Sequence, residues 1–208
     1  MFTRGFIGRN RRNTPRPLPP GQYLETGFPV LSAGPTPHTN LDTWSFRIEA
    51  EAKILSEWSW NEFVNLTLHD LETDIHCVTK WSKLDTRWRG VMIDTLLENS
   101  RIHPKGSHVM AFCDGGYTTN LPLADLVHGK AMVAIEFDGQ PLEAQHGGPA
   151  RLLVPHLYFW KSAKWLRGPA CRSRRSGFMR DAGSCIPSVH RVVRGFSCGR
   201  ISAACLSS

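Results

Sequence analysis

The sequence predicts an α+β domain. Three observations lead there: short apolar segments that alternate every second residue, equally short helical segments, one of them opened by a capping box, and turns marked by glycine, proline or aspartate between them. A chain of 208 residues, 41% hydrophobic and 21% charged, suits one domain with or without an appendage and can bury a core without disulfides.

The elements follow in chain order. Prolines at 15, 17, 19, 20, 29, 35 and 37 keep residues 1–40 from forming helices, so this stretch reads as an extended segment wrapping the domain. Trp44, Phe46 and Ile48 then alternate on one face, the pattern of a half-buried strand. Ser59 followed by Glu62 is a capping box, predicting a short helix through Trp60, Phe63 and Val64. A strand is expected over 74–78, an apolar helix over 91–97, and a strand over 109–112. Asp114, Gly115 and Gly116 read as a turn before a polar loop, with a helical turn over 122–127. A strand over 131–137, a hairpin turn at Asp138-Gly139 and a short strand over 151–154 complete the domain, assigned to residues 41–168.

Residues 169–208 have a different character, with seven arginines, eight serines and four cysteines but no lysine or tryptophan. A disordered basic tail and a segment read out of frame are the two readings. Arginine without lysine and scattered cysteine favour the second.

The net charge of +7 divides unevenly: +5 in residues 1–16, −4 in 17–168 and +6 in 169–208. The basic excess therefore flanks an acidic body, whereas a nucleic-acid-binding domain more often carries a basic face on folded elements. No nucleic-acid partner is expected. No apolar run reaches the ~18 residues of a membrane span, and the arginine pair near the start lacks the apolar segment of a secretion signal. No membrane association and a cytoplasmic location are the expectations.

Only Cys77 and Cys113 lie in the body, and no C-x-x-C pair occurs, so a zinc ribbon or thioredoxin-type motif has no support. A lone cysteine is usually a small buried hydrophobe, which suits Cys113 behind Met110, Ala111 and Phe112. Cys77, at a strand end between His76 and Lys80, invites the other reading, a thiolate acting as soft metal ligand or nucleophile. Farther on, Gln145-His146-Gly147-Gly148-Pro149-Ala150-Arg151 precedes Ser162-Ala163-Lys164. Glycines permit close backbone approach and Arg151 and Lys164 supply cations, a set suited to an anionic cofactor. Ordinary surface turns would show the same composition.

Several stretches together resemble the molybdopterin-binding domain of the sulfite oxidase superfamily, in its short cytoplasmic sulfite oxidase-like branch. They are FPVLSAGPTP (28–37), TWSF (43–46), DIHCVTKWS (74–82), GGYTTNLPLADL (115–126) and QHGGPARLLVPHLYFWKSAKW (145–165), covering the chain from about Arg4 to Arg167. The resemblance implies a mixed-sheet domain and a Mo-molybdopterin cofactor. Cys77 takes the place of the metal ligand, with Asp114 and Tyr117 facing the metal pocket. His76, His146, Arg151, Ser162, Ala163 and Lys164 fall in the stretches that grip the pterin and its phosphate, joined by Ser32, Ala33 and Gly34. The implied chemistry is two-electron oxygen-atom transfer on a small sulfur or nitrogen oxide, with an unidentified partner handling electrons. Where sulfite-oxidising members carry a substrate-holding arginine, this chain has Thr79-Lys80-Trp81, which speaks against sulfite itself. The alternatives are a truncated, inactive relative or non-catalytic cofactor-binding module, and a cysteine nucleophile with His76 or His156 as base.

Overall fold

A computed structural model of the chain describes residues 16–32, 34–50, 53–102 and 107–171. The expectations for residues 1–15 and 172–208, and for Ala33, lie outside the described residues.

Among the described residues, two sheets, two short α-helices and several single 3-10 turns make up the fold. One sheet runs β1 (Tyr23–Leu24), β5 (Trp81–Met92), β8 (Met132–Phe137), β10 (Arg151–Leu153), with β4 (His69–His76) pairing β5 and β9 (Gln140–Pro141) pairing β8. The other runs β3 (Lys53–Ser59), β2 (Ser45–Ala50), β11 (Leu166–Cys171), β6 (His108–Cys113), β7 (Thr118–Pro122). β1 joins β5, and β11 joins β2, in parallel, and the other pairings are antiparallel, so both sheets are mixed. The α+β, mixed-sheet expectation holds.

β8 shows why the sheets stack as they do. Val133 and Ile135 point into a core shared with Phe46, Ile48 and Val109 of the second sheet and with Trp44 just before β2. Met132 and Ala134 point the other way, into a smaller core with Ile75, Cys77, Trp81 and Phe159. A strand covered on both faces reads as a continuous apolar run, which is how residues 131–137 appear in the sequence. The smaller core borders the functional site.

Several local expectations are met. β2 buries Trp44, Phe46 and Ile48 at its start and along one face. Ser59 and Glu62 form a reciprocal capping box on α1 (Trp60–Val64), which buries Phe63. Asp138 (φ 50°) and Gly139 (φ 76°) form the left-handed turn between β8 and β9.

Others shift. The strand expected over 74–78 begins earlier, at His69, and ends at His76, leaving Val78 exposed. The helix expected over 91–97 is α2 (Ile93–Ser100), because Val91 and Met92 belong to β5 and pair with Val133 and Met132. The polar loop expected after Gly116 is β7, whose polar side chains alternate with buried Thr119 and Leu121. β11 passes the boundary placed at residue 168 and pairs through Cys171 with both β2 and β6.

Candidate functional site

Cys77 opens the turn that joins β4 to β5. Its N–H donates to the Trp81 carbonyl at 2.8 Å and its carbonyl accepts from Lys80 N–H at 3.0 Å, which closes a tight loop. Lys80 adopts a left-handed backbone (φ 74°) to complete it. The turn directs Cys77, 4% exposed, into the wall of a cavity of about 740 Å³. Thr79 Oγ1 donates a hydrogen bond to Cys77 Sγ at 3.1 Å.

The opposite wall comes from the two loops singled out by their glycines and cations. Gly147 (φ 108°) lies so close to Lys164 that an added Cβ would sit 2.9 Å from the lysine Cβ. Trp165 N–H donates to Gly147 O at 3.1 Å, Leu166 N–H to Ala150 O at 2.8 Å, and Leu152 N–H to Ala163 O at 2.9 Å, zipping the loops together. Arg151 clamps them from inside. Its Nη1 donates to His146 O at 2.6 Å and its Nη2 to Ser162 O at 2.7 Å, while the guanidinium lies 4.1 Å from the Phe159 ring centroid.

Arg151 is 2% exposed, and among the described residues no carboxylate pairs with it. Burial lowers its pKa to about 9, yet it remains a cation at neutral pH. Lys164 reaches the same cavity and donates to Gln145 O at 2.6 Å. Burial, reinforced by Arg151, pushes its ammonium down to about 8. Two incompletely neutralised cations therefore border one cavity.

The remaining predicted residues divide. Asp114, Tyr117, Ser32, Gly34, Ser162 and Ala163 line the cavity with Cys77, Arg151 and Lys164. Asp114 is held on both carboxylate oxygens, by Arg167 Nε at 2.7 Å and Thr39 Oγ1 at 2.9 Å. Burial raises the Tyr117 phenol above its usual range. Ser162 Oγ accepts from Val154 N–H at 3.0 Å, so its hydroxyl is already engaged in the loop. His76 and His146 stand outside the cavity wall. His76 Nδ1 bonds Ser82 Oγ at 2.8 Å, and His146 stacks on Phe28 with centroids 4.0 Å apart. Burial lowers the pKa of both imidazoles, with Asp74 opposing at His76 and Glu143 opposing at His146.

The cysteine-nucleophile reading loses its base. His76 bonds Ser82, and His156 bonds Asp125 at 3.2 Å, so neither imidazole is bonded to Cys77. Cys113 is a different kind of thiol, pushed up to about 12 first by burial and then by Asp114, and it stays protonated in the core.

Sequence reasoning missed several wall residues, among them the aromatics Phe28, Trp81, Phe159 and Trp160, and one residue behind the wall, Gln22. The aromatics sit inside the quoted motifs and were legible there. Nothing in the sequence near Gln22 marks it.

The sequence profile of the oxidoreductase molybdopterin binding domain matches residues 33–177. The chain belongs to that family. It is similar to the uncharacterized oxidoreductase YuiH of Bacillus subtilis (strain 168), 36% identical over 78% of this chain and 83% of that protein. It is also similar to the putative protein-methionine-sulfoxide reductase subunit YedZ1 of Azospira oryzae, 26% identical over 80% of this chain and 65% of that protein. In fold it resembles the sulfane dehydrogenase SoxCD of Paracoccus pantotrophus, with a TM-score of 0.58 at 16% identity over 67% of this chain. The chain spans 40% of that solved chain's length.

This molybdopterin-binding oxidoreductase domain fits its cofactor on the residues present. Cys77 offers the cavity a soft donor, and the sulfurs of a dithiolene pterin with one such thiolate would make up a soft donor set. Two wall residues also carry buried donors without acceptors, Trp81 Nε1 and Arg151 Nε. An acceptor-rich, anionic ligand satisfies such groups. Among the described residues no helix is long and apolar enough to cross a membrane.

Proposed function

We propose that this domain catalyses two-electron oxygen-atom transfer on a small sulfur or nitrogen oxide, at a molybdenum held by Cys77 Sγ. The observation that carries the reading is the placement of Cys77 in the wall of the cavity that Arg151 and Lys164 border. When bound, the molybdenum cofactor supplies the redox centre at which an oxygen atom and two electrons are exchanged with the substrate. An external redox partner restores the electrons.

The chain's own residues do the rest. Cys77, once deprotonated, anchors the metal, with Thr79 stabilising the thiolate by its hydroxyl. Arg151 and Lys164 bind the pterin phosphate electrostatically, at positions fixed by their contacts with His146 O, Ser162 O and Gln145 O. Phe28, Trp81 and Phe159 exclude water from the buried part of the cavity.

Leu31, Val78 and Trp160 line the same cavity while remaining 50%, 53% and 42% exposed, an apolar rim. An apolar rim favours an uncharged sulfoxide with carbon substituents over an inorganic oxyanion. The name of the YedZ1 relative, a putative protein-methionine-sulfoxide reductase subunit, points to the same substrate class. A cytoplasmic location is part of the proposal.

Protein made in a host that assembles the molybdenum cofactor tests the reading. Retained molybdenum with turnover of a sulfoxide supports it. Molybdenum without turnover of any sulfur or nitrogen oxide identifies a non-catalytic cofactor-binding module instead, and absence of molybdenum with Cys77 intact contradicts both.

A further inference from the structure

Gln22 lies in the N-terminal segment, 55 positions before Cys77, yet its side chain is 7% exposed and reaches the back of the Cys77 turn. Its Nε2 donates to the Cys77 carbonyl at 3.1 Å. Its Oε1 accepts from Ser82 Oγ at 3.2 Å, and Ser82 is fully buried. Ser82 Oγ in turn lies 2.8 Å from His76 Nδ1.

Donor counting gives this series one direction. A hydroxyl has a single hydrogen, and the buried Gln22 Oε1 needs it, so Ser82 accepts from His76 and the His76 proton sits on Nδ1. Turning the Gln22 amide around would set its oxygen against the Cys77 carbonyl and its NH2 against the Ser82 hydroxyl, leaving the carbonyl with one donor fewer. The observed orientation gives the Cys77 carbonyl two donors, Lys80 N–H and Gln22 Nε2. Backbone pairing brings Gln22 there, since Tyr23 N–H donates to Lys80 O and Glu25 N–H to Ser82 O, each at 2.8 Å. The amide is aligned by β1 and buried against the turn from which Cys77 Sγ projects.

We propose that Gln22 is a positioning residue for the metal-binding cysteine: by holding the Cys77 carbonyl it fixes the peptide that sets the direction of Sγ toward the metal. The N-terminal segment is thereby a working part of the metal centre as well as a cover for the cavity. The inference rests on the assignment of Cys77 as ligand. Groups that orient a ligand are typically worth about 10- to 100-fold in metal affinity or activity.

The test uses holoenzyme of Gln22→Met, which keeps the side-chain volume but has no amide, beside Ser82→Ala, which removes the hydroxyl between Gln22 and His76 but leaves the Gln22 amide donor and the β1 pairing that brings it to the Cys77 carbonyl. The readout is the electron paramagnetic resonance spectrum of the one-electron-reduced molybdenum, together with kcat and KM for a sulfoxide. Gln22→Met is expected to alter the spectrum and lower kcat about tenfold with KM little changed, while Ser82→Ala keeps the wild-type spectrum. An unchanged spectrum in Gln22→Met overturns the proposal, and so does an equal change in both variants, which would indicate general packing. If Gln22→Met does not accumulate folded, Gln22→Asn, whose amide falls short of the carbonyl, carries the same expectation. Cys77→Ser separates the two levels. An unchanged spectrum in that variant removes the ligand assignment and the inference with it, whereas a changed one beside an unchanged Gln22→Met spectrum overturns the role of Gln22 alone.

Discussion

The Thr79 hydroxyl donates to the Cys77 sulfur at 3.1 Å from within the same turn, so the proposed metal ligand carries a hydrogen bond built into its own loop. A donor on a thiolate withdraws electron density and stabilises the more reduced metal, one of the ways proteins tune metal–sulfur potentials. Thr79→Val is expected to lower the two-electron midpoint potential of the bound molybdenum by about 30 mV, which corresponds to ~1.4 kcal/mol. A redox titration reads the shift, and a higher potential would contradict this role.

Arg151 organises two loops at once through His146 O and Ser162 O. Arg151→Met leaves both carbonyls without that donor, and a buried unsatisfied group costs about 1–3 kcal/mol. Relief of the buried charge offsets part of the loss, so cofactor-free protein should lose roughly 2 kcal/mol in urea unfolding. Cofactor retention should fall more steeply than stability does, because the ligand's anion also loses its buried cation.

Lys164 gives the site a pH dependence with a defined sign. Its folded pKa, about 8, lies below the ordinary lysine value, so between those two values the unfolded chain binds the extra proton and cofactor-free protein gains stability as pH rises. Phosphate binding has the opposite sign, since it needs the charged ammonium. Affinity for the pterin phosphate is expected to fall as pH rises through about 8, and Lys164→Met should flatten that part of the profile while lowering affinity below it. A binding titration from neutral to alkaline pH checks both statements.

Asp114 binds Arg167 and Thr39, linking the end of β6 to β11 and to the N-terminal segment. Its carboxylate therefore serves first as a structural tie within the cavity wall. Asp114→Asn is expected to weaken the fold by about 1–2 kcal/mol and to increase protease cleavage before residue 40. Unchanged proteolysis would show that the tie does not hold the segment.

Gly148 packs directly against the backbone of the preceding loop, where an added Cβ would lie 1.9 Å from Leu142 O. That neighbour is backbone and cannot swing aside. Gly148→Ala should destabilise the domain by about 1–3 kcal/mol, visible as a lower thermal midpoint.

The parts of the fold legible in the sequence were those in which side-chain pattern and burial agree. Trp44, Phe46 and Ile48 alternate and are buried, and Ser59 with Glu62 closes the helix cap they announce. β5 was illegible for the opposite reason. Thr86 and Ser82 are buried polar residues, stabilised by contacts with Thr73 O, Trp88 Nε1 and Gln22, so the strand lacks an apolar stripe. The run from Val91 to Leu97 then joined the end of a strand to the start of a helix without a visible break. At the site, motif residues on neighbouring loops were recognisable because one loop carries Gly147, Gly148 and Arg151 and the other Lys161 and Lys164. His76 and His146 shared those motifs but turn toward Ser82 and Phe28. Gln22 stayed hidden because its role comes from the parallel pairing of β1 with β5, a long-range contact that local sequence does not encode.

The central claim, that Cys77 is the protein ligand of molybdenum, is tested most directly by X-ray absorption at the molybdenum edge of the holoenzyme and its Cys77→Ser variant. Three sulfur scatterers in the native domain, falling to two in the variant, is the result this account predicts. The same number of sulfurs in both would contradict it.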